Sequence, residues 1–253
     1  AQRKPMPNEL VSQIPLIRRM LGALGVPVFC VGGVEADDVI GTIAVRAADD
    51  GMRCLIATTD KDMAQVVSER IFLLRPSAKR FDAAPQLLDP AGVEEKYGVP
   101  PDRIVDLLAL VGDSSDNVPG VPGVGEKTAV RLLQEHPSLA QVFDAADTVR
   151  NRRVADALRD HRDTAILAQR LIRLDTDVAV GEIPEGCRLR GADVAELATF
   201  FSAVGFTTAL SELGLEPARA SFGAVPPRPE TRDAQYETVL TREQLADVVA
   251  RLT

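Results

Sequence analysis

The 253-residue chain has no tryptophan, and aromatic residues make up only 4% of it. A platform of stacked aromatic rings for single-stranded bases is therefore not expected, and aliphatic side chains must build the core. Only two histidines occur, His136 and His161, both in stretches of helical pattern. No Ser or Cys sits in a nucleophile elbow, so a base-activated side-chain nucleophile has no candidate. The three cysteines, Cys30, Cys54 and Cys187, are odd in number and far apart. That spacing excludes a disulfide framework or a cysteine metal site and leads us to expect reduced, mostly buried thiols of a cytosolic protein. No apolar run approaches the roughly 20 residues of a membrane span, and no signal-peptide pattern opens the chain. A soluble chain with no membrane partner is expected. The first residue is Ala and the last residues stop within a helical pattern, so the expectation is a piece truncated at both ends.

Positive charge is scarce too: 29 Lys and Arg face 37 Asp and Glu, a net charge of −8. That balance argues against a phosphate-binding surface only if it is uniform, and it is not. Residues 146–173 hold seven Arg against four Asp, whereas residues 174–253 hold thirteen acids against seven bases. Acids that gather divalent metals also count as negative in a metal-free tally.

What is present is 45% apolar composition, enough for a sizeable core. Residues 8–24 read as a helix with Asn8 as N-cap, Pro15 as a kink, and Leu10, Ile14, Ile17, Leu21 and Leu24 on one face. Residues 26–31 and 53–57 read as strands, each followed by a helix, at 35–49 and 61–68. A third strand follows at 71–75 and a short helix at 86–97, and from 102 to 173 the chain reads as almost wholly helical. Alternating strands and helices imply a parallel α/β sheet whose ligands gather at the carboxyl ends of strands. Another helix is expected at 193–204. Residues 216–235 form a Pro-rich linker, and 236–253 begin a strand and a helix capped by Thr241.

Three acidic motifs carry the chemistry: Glu35-Ala-Asp37-Asp38, Asp60-Lys-Asp62 and Asp113-Ser-Ser-Asp116. Spacings of three on a helix, or two at a strand end, let the acids of each motif converge. Packed carboxylates repel one another unless cations compensate, and hard oxygen ligands select Mg²⁺ or Mn²⁺. Caps and helix-dipole partners are the plainer explanation of any single motif. All three at element ends of one α/β domain point instead to a two-metal phosphoryl-transfer site.

The runs VEADDVIGTIA, TTDKDMAQ, KYGVPPDRIVDLLALVGDSSDN and VPGVPGVGEKTA resemble the 5′-nuclease domains of bacterial DNA polymerases I, of the flap endonuclease family, over about residues 1–215. The resemblance implies a parallel-sheet, PIN-like nuclease core at 1–98. A mainly helical subdomain with a helix-three-turn-helix DNA-binding element would follow at 99–215, and the start of a proofreading-like 3′-5′ exonuclease domain at 236–253. It implies that Glu35, Asp37, Asp38, Asp60, Asp62, Asp113 and Asp116 hold two divalent ions, with Asp60, Asp62, Asp113 and Asp116 catalytic. A monomer acting on DNA at 5′ flaps and RNA primers in replication and repair, in the bacterial cytoplasm at the nucleoid, is implied, and the parent protein would also be a polymerase. The family uses two further aspartates upstream of this chain's first residue, so the piece itself is expected to be weakened or inactive. A stand-alone 5′ nuclease and a DNA-binding remnant without catalysis stay open as alternatives. Without its first strands the sheet would expose an edge, and marginal stability is expected.

Gly120, Gly123 and Gly125 precede a helix carrying Lys127 and Thr128. Glu126 between Gly125 and Lys127 breaks the nucleoside-triphosphate loop pattern. Backbone N–H groups and a helix N-terminus held to a DNA phosphate fit better, a glycine-rich helix-helix turn being the plainer option. By resemblance this is the helix-three-turn-helix element, with a potassium ion on its main-chain carbonyls, and Arg3, from a basic arch, touches the substrate phosphate.

Overall fold

The computed structural model describes residues 6–76, 84–183 and 185–216. Arg3, most of the linker and the strand-helix segment 236–253 lie outside the described residues. The chain divides into two compact units, Ala1–Ala192 and Asp193–Thr253.

In the first unit, α1 (Asn8–Ala23) is capped at Pro7 rather than Asn8, runs through Pro15, and buries only Ala23. Leu10 and Ile17 of the expected core face are exposed. Residues 26–31 are not in a strand. Helix α2 (Ala36–Asp49) has Glu35 as its N-cap. Strand β1 (Cys54–Ala57) leads through a 3-10 turn, Asp62–Val66, to β2 (Ile71–Arg75). Where a helix was expected from residue 86, the first three residues are β3 (Gln86–Leu88), followed by α3 (Pro90–Tyr97). Pro90 at the first helical position and Asp89, whose carboxylate accepts from the Gly92 N–H at 2.7 Å, start α3 one turn later than the pattern suggested.

The sheet order is β1-β2-β3. Strands β1 and β2 are parallel, with Cys54 opposite Ile71 and Ala57 opposite Leu74. Strand β3 adds antiparallel, Leu73 opposite Leu88. Period-two alternation puts Ile56, Ile71 and Leu73 in the core.

Helix α4 (Ile104–Val111) is buried at every position from Ile104 to Leu110. Around it pack α5 (Glu126–Glu135), α6 (Leu139–Asp144), α7 (Arg152–Asp160) and α8 (Arg162–Ile172). One buried cluster continues from Ile56, Met63 and Leu73 through Leu110 to Leu132 and Leu158. Its one charged intruder on α4, Asp106, accepts from the Leu139 N–H at 3.0 Å and from the Gln169 amide. The cysteines are less buried than expected: Cys30 is exposed on the unpaired 26–31 segment, and Cys54 and Cys187 are half-buried. The second unit carries α9 (Val194–Val204) and α10 (Thr207–Glu212), with Phe201 packed on Phe200 and Phe206. Among the described residues no helix is long and apolar enough to cross a membrane.

Candidate metal centre

Each acidic motif sits where a regular element begins or ends. Asp37 and Asp38 occupy the first turn of α2, Asp60 and Asp62 follow β1, and Asp113 and Asp116 follow α4. The loop after α4 is shaped by an isolated two-residue bridge: Asp113 N–H donates to the Val118 carbonyl at 2.8 Å and Val118 N–H returns the bond at 2.7 Å. Gly112, at φ +83°, leaves the helix, and Asn117 takes the left-handed conformation at φ +58° to close the loop.

The structure brings three of the seven named acids together. One carboxylate oxygen each from Asp62, Asp113 and Asp116 lies within 4.8 Å of the others. Glu35, Asp37, Asp38 and Asp60 stand outside this trio. Glu35 and Asp38 line, with Asp62 and Asp116, a cleft of about 590 Å³. Asp60 lines a second, smaller one of about 330 Å³ with Lys61, Arg75, Asp113 and Asp116. Burial raises the Asp37 carboxyl above its usual range, and the charges of Asp60, Glu35, Asp38 and Asp116 add to the shift. The three motifs thus share one negative field.

Individual acids within that field are served very differently. Asp60 accepts from the Asp62 N–H at 3.0 Å, and Asp38 accepts from the Asp175 N–H at 2.9 Å. Asp113 is 3% exposed and fully engaged: it accepts from Ser115 N–H at 2.8 Å and pairs with the Lys61 ammonium at 3.0 Å. Burial alone would raise it, yet the Ser115 N–H and Lys61 outweigh burial and hold it below the usual carboxylate range. Asp62 is the opposite case. Its Oδ1 is buried without a hydrogen-bond partner, and burial, followed by the charges of Asp60 and Asp113, pushes its carboxyl up to about 7. A buried, partnerless carboxylate oxygen beside two further carboxylates fits a hard divalent cation, because a cation removes both the desolvation cost and the repulsion.

Lys61, Arg75 and Gln65 were not singled out in the sequence. Arg75 ends β2, donating to Tyr97 Oη at 2.7 Å and to the Thr59 carbonyl at 2.9 Å. Lys61, set between two acids, carried a local signal, whereas Arg75 and Gln65 carried none.

The three loop glycines differ in kind. A Cβ on Gly120 would come within 2.2 Å of the Val111 carbonyl oxygen, so this glycine is demanded by backbone packed on backbone. Gly123, at φ +79°, and Gly125, the N-cap of α5, face open space. No side chain caps α5. Lys127 is exposed and Thr128 half-buried in its first turn. On α7, Arg159 is neutralised by Asp147 and Asp156, both at 2.6 Å.

Residues 1–98 match the family described as 5′-3′ exonuclease, N-terminal resolvase-like domain, and residues 99–195 match 5′-3′ exonuclease, C-terminal SAM fold. The chain belongs to the 5′-3′ exonuclease family. DNA polymerase I of Bacillus caldotenax is 36% identical over 211 residues, which are 83% of this chain and 24% of that protein. The thermostable DNA polymerase I of Thermus filiformis is 38% identical over 215 residues, 85% of this chain and 25% of that protein. The 5′-3′ exonuclease chain thus spans about a quarter of the length of these relatives. The T5 5′-exonuclease with bound zinc shares its fold at a TM-score of 0.58 and 21% identity, over 69% of this chain and 64% of that one. Human GEN1 in complex with Holliday junction DNA does so at 0.54 and 18%, over 83% and 50%.

Proposed function

We propose that this chain is the 5′-nuclease part of a bacterial DNA polymerase I, hydrolysing phosphodiester bonds at 5′ flaps and RNA primers during DNA replication and repair. The observation that carries the reading is the clustering of Asp62, Asp113 and Asp116 carboxylates within 4.8 Å of one another, with one oxygen of Asp62 buried and without a partner. An all-oxygen donor set suits Mg²⁺ or Mn²⁺. The seven acids would hold the two ions between them, with Asp62, Asp113 and Asp116 sharing one. Bound there, such ions would neutralise the phosphodiester and acidify a water for in-line attack.

The chain's own residues prepare that site. Lys61 neutralises one face of Asp113 and fixes the direction of its carboxylate. Asp62, whose carboxyl is pushed up to about 7 by burial, would hold a cation in its ionised form, giving its proton to the solvent. Gly123, Gly125, Lys127 and Thr128 hold the duplex backbone at the uncapped N-terminus of α5, where the helix dipole favours phosphate. Gly120 acts indirectly by keeping the loop on α4. A potassium ion on the loop carbonyls and a phosphate contact from Arg3 belong to the same reading. So do a nuclease core over 1–98, a helix-three-turn-helix subdomain over 99–215 and a following proofreading-like domain. A monomer working on chromosomal DNA, at the nucleoid of the bacterial cytoplasm, completes it.

The test is cleavage of a labelled 5′-flap duplex with Mg²⁺ and with EDTA, for the chain beside Asp62→Asn and Asp116→Asn. Metal-dependent cutting at the junction, lost in both variants, is expected. A chain that binds the flap and never cuts it is a DNA-gripping remnant, and the catalytic reading falls.

A further inference from the structure

The 590 Å³ cleft that contains Glu35, Asp38, Asp62 and Asp116 is also lined by Arg170 and Arg173. We propose that these two arginines bind a backbone phosphate of the substrate strand beside the carboxylates, a role that rests on the nuclease reading above.

Three features of the cleft point this way. Both side chains are exposed, and among the described residues neither guanidinium has a hydrogen bond or ion pair. Four other arginines pair with nearby acids: Arg46 with Asp177, Arg159 with Asp147, Arg162 with Asp144 and Arg188 with Glu185. Two arginines that make no ion pair thus line a cleft that several carboxylates also line. A guanidinium presents a planar fork of donors that matches two phosphate oxygens. The dipole at the C-terminal end of α8 favours a cation such as Arg170 there, but it does not account for a second arginine beyond the helix that opens onto the same acids.

The segment bearing the arginines is also fixed to two of the three acidic motifs. The Gln65 amide donates to the Asp62 carbonyl and the Ile172 carbonyl, each at 3.0 Å, and its oxygen accepts from Leu174 N–H at 3.0 Å. Asp175 N–H donates to the Asp38 carboxylate at 2.9 Å, and the Thr42 hydroxyl donates to the Asp175 carbonyl at 3.2 Å. Residues 172–175 are therefore stitched to the turn carrying Asp62 on one side and to the helix carrying Asp38 on the other. A phosphate held by Arg170 and Arg173 would have its position set relative to the acids by these bonds, as a scissile bond requires.

Binding of a fluorescent 5′-flap duplex, measured by anisotropy over a salt series in EDTA and again with Ca²⁺, tests this without relying on cleavage. Arg170→Ala with Arg173→Ala should weaken binding roughly 10- to 100-fold and lower the slope of log K against log salt by about 0.7–0.9 for each phosphate that is no longer neutralised. Lysine at both positions should restore the slope, and Arg188→Ala, whose partner is Glu185, should change neither quantity. An unchanged affinity and slope in the alanine pair, with the parent chain binding, overturns this proposal alone. A parent chain that binds no flap overturns the nuclease reading and this proposal with it.

Discussion

The turn after β1 and the loop after α4 deliver aspartates to one cluster and treat them in opposite ways. The loop satisfies Asp113 with a lysine and a backbone N–H, which hold its carboxyl below the usual carboxylate range. The turn leaves one oxygen of Asp62 buried and alone, and its carboxyl rises to about 7. Burial acts on both, so burial does not separate them; partners do. The buried Asp106 on α4, bonded to Leu139 and Gln169, falls on the Asp113 side of this divide and works as scaffold. A site that waits for a cation is recognised by the acid the protein has declined to satisfy.

The strongest way to break the comparison is to displace the loop itself. Gly120→Ala forces a Cβ to within 2.2 Å of the Val111 oxygen and should cost about 3 kcal/mol or more in a chemical denaturation experiment. Gly125→Ala, which meets open space but sits at the N-cap of α5, should cost no more than about 1 kcal/mol and weaken duplex binding. If the two behave alike, the division of the loop into packing glycines and DNA-facing glycines is wrong.

Next in size, Asp62→Asn should lower metal-dependent cleavage by about 100-fold, yet make the metal-free chain more stable at pH 7.5 by roughly 1–2 kcal/mol, because solvent screens part of the carboxylate's cost. A melt in EDTA showing lower stability would return Asp62 to the scaffold. Asp113→Asn sharpens the contrast from the other side: it strands Lys61 and should cost about 1–2 kcal/mol at the same pH, with cleavage falling as well.

The smallest effect is in pH. A raised acid favours folding while it keeps its proton, so the Asp62 contribution is complete below the ordinary value of 3.8 and is lost as pH rises through about 7. The lowered Asp113 contributes above 3.8 and loses its effect only as pH falls further. Melting in EDTA between pH 4 and 8 should therefore decline for the parent and flatten for Asp62→Asn, with no such flattening in Asp113→Asn.

What the sequence disclosed was local. Acids three apart at a helix start, a strand run such as IFLLR and a glycine loop before a helix are short-range patterns, and they mark the motifs and most elements. Its blind spots are of two kinds. Pairings across the chain leave no spacing to read: Gln65 meets Ile172 and Leu174 at separations of 107 and 109 residues, and Lys61 meets Asp113 from another motif. Identical residue types also hide opposite causes, as Gly120 and Gly125 show. Strand β3 has only three residues, too few for an alternation to declare itself, and residues 26–31 have strand composition without a strand.

The most direct test of the unsatisfied acid is calorimetric titration of Mn²⁺ into the chain at pH 6, in buffers of different ionisation enthalpy. Saturable binding with release of up to about one proton per ion, lost in Asp62→Asn and shrinking toward zero at pH 8.5, is the expected result. Binding without proton release at pH 6, or no saturable binding at all, would contradict a metal centre built around Asp62.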